Sequence, residues 1–201
     1  VRSKIPERPC PMSDRRFEAA ALSLPGLLLL EPRVHVDSRG SFEELFRAKD
    51  YEEAGIRGPF VQDNLSNSAQ GVVRGLHFQR ERPQGKLIAC LSGEILDVAV
   101  DLRTGSPAFG QWHGEVLSGE NHRQLYLPPG FAHGFSVLRG PAEVLYKCTA
   151  YYDPSDETGI RFDDPRLAVP WRVRNPLVSE RDRKLPFLKD IPPGRLPRFA
   201  T

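Results

Sequence analysis

The sequence predicts an all-β fold of antiparallel strands, arranged as a sandwich or jelly roll. Short segments with strand-like alternation are separated by turns, and the chain contains 17 Gly and 19 Pro in 201 residues. Helical patterns occur only near the ends of the chain, so the helical connections that a parallel α/β sheet requires are missing. A chain of this length can bury one sizeable core.

The composition is that of a globular protein, with 39% hydrophobic and 27% charged residues. The formal net charge is +2 and the basic residues are scattered, so we expect no nucleic-acid partner. The longest apolar run, LLLL at 27–30, is too short to cross a membrane, and no signal-peptide pattern precedes it. The odd set Cys10, Cys90 and Cys148 favours free thiols in a reducing cytoplasm.

The N-terminal part of the chain predicts strands and one short helix. Residues 1–16 are expected to be disordered or to derive from an expression vector, and residues 17–201 to form a single domain. LLLLEPRVHV (27–36) predicts two strands, and AKDYEEAG (48–55) a short helix that ends at its glycine. PFVQDNLSNS (59–68) predicts a strand that runs into a turn.

The alternation of residues between the two faces of a strand is clearest in the middle of the chain. In a strand over 71–79, one face carries Val73, Gly75, His77 and Gln79, and the other carries Val72, Arg74, Leu76 and Phe78. From 86 to 103, the face that contains Leu96, Val98, Val100 and Leu102 is predicted to pack on the core, while the other face carries acidic residues.

The remaining segments predict four more strands and a late helix. TGSPAFGQW (104–112) is a turn that leads into a strand. RQLYLPPGFAHGFSVL (123–138) contains a strand, a Pro-Pro-Gly turn and another strand, and 142–153 predicts a separate strand. SERDRKLPFLKD (179–190) predicts a short helix before a proline-rich tail.

Two of the five histidines lie beside glycine and aromatic residues, His77 in RGLHFQ and His133 in GFAHGF. The other three are expected at the surface. A buried histidine often serves only a structural hydrogen bond, but Arg74, Lys86, Asp97 and Tyr146 are expected on neighbouring strands. Such a cluster of titratable groups indicates a functional site.

The pattern of these residues argues against several kinds of chemistry. No His-x-His or His-x-x-x-His pair occurs and position 79 is glutamine, so no metal site is predicted. The Gly-x-Ser-x-Gly elbow and glycine-rich phosphate loops are also missing. What remains is acid–base catalysis, with cationic groups that hold an anion.

Eight blocks carry a resemblance to a known family. In chain order they are DSRGSFEELF, FVQDNLSNS, VVRGLHFQ, QGKLI, GEILDVAVDLRTGSPAFGQW, LYLPPGFAHGF, AEVLYKCTAYYDPSDETGI and SERD. Over about residues 23–190 they resemble the dTDP-4-dehydrorhamnose 3,5-epimerase family. The resemblance implies a cupin-type jelly-roll β-sandwich with short peripheral helices, a homodimer, and no metal or other cofactor.

The resemblance implies epimerisation of dTDP-4-keto-6-deoxyglucose at C3 and C5, which gives dTDP-4-keto-L-rhamnose. A proton α to a ketone is removed and then returned on the opposite face, so the site needs a base, an acid and a positive partner for the enolate oxygen. By the resemblance His77 is the base and Asp182 orients it. Lys86 lies by the enolate oxygen, and Tyr146 is the acid.

The resemblance also implies the residues that bind the substrate. Arg74 matches a contact to the diphosphate, where a planar guanidinium suits phosphate oxygens. The other matches are Gln62 and Asn64 for the nucleotide sugar, His133 and Asp97 for polar groups of the site, and Tyr152 for stacking on thymine. In the family, a segment that matches Arg39, Phe42 and Glu44 completes the partner subunit's site.

Three alternatives stay open at this point. A 3-monoepimerase of an antibiotic-sugar pathway would differ only in the carbons that it inverts. A non-catalytic sugar-nucleotide-binding cupin would need no opposed acid and base. A 3,4-ketoisomerase would need a histidine pair on one side of the sugar and would lack the tyrosine of LYKCT. One departure from the family, a shorter loop with Pro83 before Lys86, leaves the position of that lysine to be tested.

Overall fold

The fold is taken from a computed structural model, which describes residues 16–56 and 58–199. Of the predicted N-terminal segment 1–16, only Arg16 is described. Residues 1–15, which include Cys10, lie outside the described residues. The strands are β1 Phe17–Ala21, β2 Leu28–Pro32, β3 His35–Asp37, β4 Gly40–Phe42, β5 Gln62–Ser68, β6 Val73–Gln79, β7 Lys86–Asp101, β8 Trp112–Ser118, β9 Gln124–Leu127, β10 Phe131–Cys148 and β11 Glu157–Gly159. The α-helices are α1 Ala48–Glu53 and α2 Glu180–Arg183, and 3-10 turns span Leu188–Asp190 and Pro193–Arg195.

Nine of the described strands form one sheet, and the paired strands are antiparallel, which confirms the predicted all-β class. Its main path is β1-β2-β9-β7-β10-β6-β11, with β5 paired to β10 and β8 paired to β7. The two strands predicted within 27–36 both form but do not pair with each other. β2 pairs with β1 and β9, whereas β3 and β4 make a separate hairpin.

The sheet depends on two long strands, β7 with 16 residues and β10 with 18. The predicted separate strand over 142–153 is wrong, because β10 continues through this region to Cys148 after shifts of register between Val137 and Val144. β7 bends at Gly93, whose φ is +78°. A Cβ at this position would lie 2.6 Å from the Arg139 carbonyl oxygen, so only glycine fits the bend.

Both faces of β7 are buried, which corrects the expectation that only one face packs on the core. Ile95 and Ala99 belong to one apolar cluster, and Leu96, Val98 and Val100 belong to a second. The second cluster includes residues from the C-terminal part of the chain, such as Trp171, Leu188 and Leu196. The predicted acidic residues do lie on the face of the first cluster, but Asp97 and Asp101 have no exposed surface.

The short helices secure the ends of the sheet. The predicted helix α1 ends before Gly55, whose φ is +89°, and its buried Tyr51 packs on Phe17 and Phe46. Within the predicted 179–190 helix only α2 is α-helical, and the Ser179 side chain caps it by accepting the Asp182 amide at 3.0 Å. Among the described helices, none has the length and apolar character needed to span a membrane.

Candidate active site

A cavity of about 700 Å³ opens between β5, β6, β7, β10 and the segment that carries α2. Nine of the thirteen residues predicted for the site line this cavity: Gln62, Asn64, Arg74, His77, Lys86, His133, Tyr146, Tyr152 and Asp182. Residues that are as much as 120 positions apart in the chain therefore meet in one place. Lys86 is among them despite the shorter loop that precedes it.

Arg74 and His77 both face the cavity, although simple alternation predicted opposite faces. His77 pairs with His133, but Arg74 pairs with Phe135. The two pairs are therefore three residues apart on β6 but only two residues apart on β10. This β-bulge reverses the alternation between the two residues. It includes Gly75, which has φ +111° and where a Cβ would lie 2.5 Å from the Gly134 Cα.

His77 is held by a buried carboxylate. Its Nε2 lies 2.8 Å from Asp182 Oδ1, and Asp182 Oδ2 accepts the Gly75 amide at 3.3 Å. Burial alone would raise the pKa of Asp182, but the hydrogen bond and charge of His77, together with the bonds from Gly75 and Ser179, outweigh burial and lower it. An ionised carboxylate only accepts, so Nε2 carries a hydrogen and Nδ1 of the neutral ring is free to take a proton.

Lys86 and Tyr146 face the same cavity from β7 and β10. Burial lowers the pKa of Lys86, and this effect is opposed by the nearby Cys148, Glu157 and Asp97. Burial raises the pKa of Tyr146, so its phenol is neutral and able to donate a proton. The two side chains therefore supply, within one site, a neutral acid and an amine whose positive charge is favoured by Glu157 and Asp97 and opposed by burial.

A second histidine–aspartate pair lies deeper in the sheet. His133 Nε2 is 2.8 Å from Asp97 Oδ2, and the His133 ring centroid lies 6.3 Å from that of Tyr146. Asp97 does not line the cavity itself but lies behind His133 with no exposed surface. Its other oxygen has no hydrogen-bond partner within the described residues. Asp97 can therefore act on a ligand only through His133.

The mouth of the cavity carries the polar and aromatic residues. Arg74 donates from Nε to the Ser68 hydroxyl at 3.1 Å, which leaves its terminal nitrogens free of any hydrogen bond to the described residues. Gln62 donates to Asn64 at 2.9 Å and accepts the Tyr152 amide at 2.8 Å. Tyr152 is 43% exposed and lines the cavity, so a ligand can reach it.

Sequence reasoning missed several lining residues, notably Ser66, Gln84, Glu157 and Arg181. Ser66 continues the two-residue period of Gln62 and Asn64 on β5, a signal that was present in the sequence. Arg181 directly precedes Asp182 and pairs with Glu157. Nothing in the local sequence indicated Glu157, because the pairing of β11 with β6 brings it there.

Arg39, Phe42 and Glu44 do not line this chain's cavity. Arg39 pairs with Asp37 at 2.6 Å, Glu44 pairs with Arg16, and Phe42 is 67% exposed. They lie on or just after the β3–β4 hairpin, which pairs with no other described strand. Their predicted role in a partner's site stays a prediction.

Among the described residues, the titratable groups outside the cavity suggest no separate centre. His35 is exposed as expected, whereas His113 and His122 are partly buried and lie near Glu115 and Glu43 at 3.5 and 3.0 Å. Cys90 and Cys148 are free and buried, as predicted. Across residues 16–56 and 58–199, no three His, Cys, Asp or Glu side chains are grouped as metal ligands would be.

Comparison with known proteins gives one consistent result. Residues 21–190 match the profile of the family described as dTDP-4-dehydrorhamnose 3,5-epimerase. The chain is 52% identical over 170 residues to the dTDP-4-dehydrorhamnose 3,5-epimerase of Pseudomonas aeruginosa, which covers 84% of this chain and 94% of the relative.

Solved structures of similar proteins have the same fold as this chain. The Legionella pneumophila dTDP-6-deoxy-D-glucose-3,5-epimerase, in complex with dTDP-4-keto-L-rhamnose, superposes with a TM-score of 0.89 at 48% identity, over 92% of this chain and 100% of the other. A 3'-monoepimerase from Streptomyces bikiniensis, in complex with dTDP-quinovose, gives 0.82 at 35% identity, over 88% and 91%. The chain has the predicted cupin-type β-sandwich fold, and it belongs to the dTDP-4-dehydrorhamnose 3,5-epimerase family.

Proposed function

We propose that this protein converts dTDP-4-keto-6-deoxyglucose into dTDP-4-keto-L-rhamnose by inverting C3 and C5. The observation that carries the proposal is a histidine bound to a buried carboxylate, His77 with Asp182, in the same cavity as Tyr146 and Lys86. This set contains each group that enolisation needs. The identity to the 3,5-epimerase relative supports the substrate.

In the first half of each inversion, Nδ1 of His77 takes the proton from the carbon next to the C4 ketone. The electron pair of that C–H bond forms the enolate, and its negative charge moves to the C4 oxygen. Lys86 lies by this oxygen and stabilises the charge. Asp182 stabilises the imidazolium that forms on His77. Its lowered pKa means that it is ionised when this positive charge appears.

In the second half, the Tyr146 hydroxyl returns a proton to the opposite face of the same carbon. Tyr146 and His77 enter the cavity from different strands: Tyr146 pairs with Asn64 of β5, whereas His77 pairs with His133, whose ring lies 6.3 Å from that of Tyr146. This arrangement supports approach from two sides. Solvent then removes the proton from His77 and reprotonates Tyr146. Carbon keeps its oxidation state throughout, so the reaction needs no redox cofactor, and Lys86 supplies the positive charge.

The substrate-binding roles follow the chemistry of each side chain. Arg74 contacts the diphosphate through its free guanidinium nitrogens. Tyr152 stacks on thymine, and Gln62 and Asn64 bond the nucleotide sugar. His133 bonds the sugar, and Asp97 orients it from behind.

The active form in this proposal is a homodimer in which Arg39, Phe42 and Glu44 complete the partner's site. The support is the β3–β4 hairpin, whose residues 35–42 are all exposed, with Val36 77% and Phe42 67% exposed. A two-stranded hairpin is marginally stable in water without further packing. Light scattering of the purified protein measures the mass, and a monomer would contradict this part of the proposal.

The alternatives predict different products. The chain is 52% identical to a 3,5-epimerase and 35% identical to the 3'-monoepimerase, which favours inversion at both carbons. A binding protein without catalysis has no need of a His–Asp pair and a neutral tyrosine in one cavity.

Proton NMR in deuterated water tests the function directly. With dTDP-4-keto-6-deoxyglucose and enzyme, we expect rapid loss of the proton signals at both C3 and C5. Label at C3 alone would make the protein a monoepimerase. Loss of neither signal, with substrate shown to bind, would establish the non-catalytic alternative.

Replacing Arg74 with lysine should weaken substrate binding, because a point charge cannot replace a guanidinium that bonds two phosphate oxygens. The loss is expected to depend on the diphosphate. Calorimetry should show weaker binding of dTDP, with thymidine binding to the variant and the wild type alike. If thymidine binding falls as much as dTDP binding, then Arg74 supports the structure of the site rather than contacting phosphate.

A further inference from the structure

The loop at 80–85 joins the strand of His77 to Lys86, and its sequence RERPQG has no large apolar residue to anchor it. Glu81 and Arg82 are exposed. The position of Lys86 nevertheless depends on this loop, since Lys86 follows it directly. Something outside the loop must therefore fix its path.

One buried carboxylate accepts hydrogen bonds from the backbone amides of the first half of this loop. Asp156 Oδ1 accepts the backbone amides of Arg80 at 3.2 Å and Glu81 at 3.0 Å. Its Oδ2 accepts the amides of Glu81 at 3.1 Å and Arg82 at 3.0 Å. Three successive N–H groups converging on one anion form a nest, which holds the backbone in a single conformation. Asp156 is 5% exposed.

The second half of the loop is bound to the same facing segment. Gln84 donates to the Ala150 carbonyl at 2.8 Å, and the Gly85 amide donates to the Thr149 hydroxyl at 2.8 Å. The Thr149 amide in turn donates to the Gly85 carbonyl at 3.0 Å. The loop thus lies along residues 149–156, and Asp156 closes the end that is farthest from Lys86.

We infer that Asp156 is a positioning residue for catalysis, because it fixes the 80–85 loop and thereby the place of Lys86 in the cavity. The inference rests on the proposed function of Lys86 at the enolate oxygen. Burial opposes the charge of Asp156, but the three amides and Arg80 outweigh burial and lower its pKa, so the carboxylate is ionised as the nest requires.

Nucleotide binding is expected to be independent of Asp156. The Tyr152 amide is held by Gln62, and the Asp153 amide donates to Gln79 at 2.8 Å. These contacts fix the thymine side of the site without the carboxylate of Asp156. Loss of Asp156 should therefore reduce kcat through Lys86 while leaving the affinity for dTDP in place.

The test is Asp156→Asn, because an amide has one acceptor oxygen and turns an NH2 group toward the loop amides. We expect kcat to fall at least about tenfold, since a misplacement of about 1 Å can cost up to a hundredfold. The Kd for dTDP, measured by calorimetry, should stay within about twofold of the wild type. Asp163→Asn is the matched control. It removes the same charge from an exposed carboxylate that pairs with Arg161 and makes no contact with the 80–85 loop, and it should retain wild-type kcat.

Wild-type turnover, measured first, tests the proposed function alone, and the variants then test the loop. An unchanged kcat in Asp156→Asn would overturn the inference, as would parallel losses of kcat and dTDP binding. If Asp156→Asn does not fold, Asp156→Glu replaces it, because the extra methylene moves the charge out of the nest. A folded Glu variant with wild-type kcat would overturn the inference equally.

Discussion

Replacing His77 with asparagine should lower the rate of proton exchange at C3 by about 10²–10⁴-fold, the usual cost of losing a general base. Asparagine has no nitrogen that accepts a proton, and its amide ends at the position of Nδ1, short of the contact that Nε2 makes with Asp182. The Asp182 carboxylate keeps the Gly75 amide, so the fold and dTDP binding should be largely retained. Exchange is measured by proton NMR in deuterated water, and binding by calorimetry.

Alanine at position 77 provides a second variant with a different side effect. It leaves the Asp182 carboxylate with the Gly75 amide and Ser179 but without the imidazole, so a modest loss of stability should accompany the loss of exchange. Asp182→Asn should lower the exchange rate less than either His77 variant, because Asp182 orients the base and transfers no proton. Near-normal exchange in His77→Asn would show that another group is the base, and an unchanged rate in Asp182→Asn would show that the pair has no catalytic role.

The strands that carry the site were predictable because alternation and turn residues are local signals. The alternating run before residue 103 and the Pro-Pro-Gly turn at 128–130 both matched real elements, β7 and the β9–β10 connection. Where the prediction was wrong, the cause lies in distant contacts. The bulge at Gly75 arises from its close approach to Gly134. The unpredicted burial of the acidic face of β7 arises because Ile95 and Ala99 pack against residues of other strands, such as Leu125 and Phe135.

The features of the site also divide into those that local motifs indicate and those that depend on contacts between distant residues. His77 and Tyr146 each lie in a recognisable motif, so their types and chemistry were evident. The bond between His77 and Asp182 joins residues 105 positions apart, and no periodicity in the chain encodes it. The family resemblance nevertheless predicted this pairing, whereas the contacts of Asp156 were hidden, because its partners are backbone amides, which every loop possesses.

Replacing Tyr146 with phenylalanine should separate proton exchange from inversion. The variant keeps the ring and its packing beside Val144 and Cys148, and it deletes only the hydroxyl. His77 and Lys86 are intact, so the enolate should still form. Without an acid on the far face, His77 exchanges the abstracted proton for deuterium from the solvent and returns the deuterium on the face that the proton left. We expect deuterium at C3 but mostly sugar of the substrate's configuration, with inversion strongly reduced.

The raised pKa of Tyr146 is consistent with its role as the acid. A phenol that ionised readily would be a poor donor at neutral pH and would repel the enolate, whereas burial keeps it protonated until it is needed. NMR of the product measures configuration and label in the same sample, so the ratio of exchange to inversion is obtained directly. That ratio should rise sharply in Tyr146→Phe and stay near the wild-type value in Arg74→Lys. If Tyr146→Phe inverts C3 at the wild-type rate, a different group or a water molecule is the acid, and the assignment of base and acid to opposite faces fails.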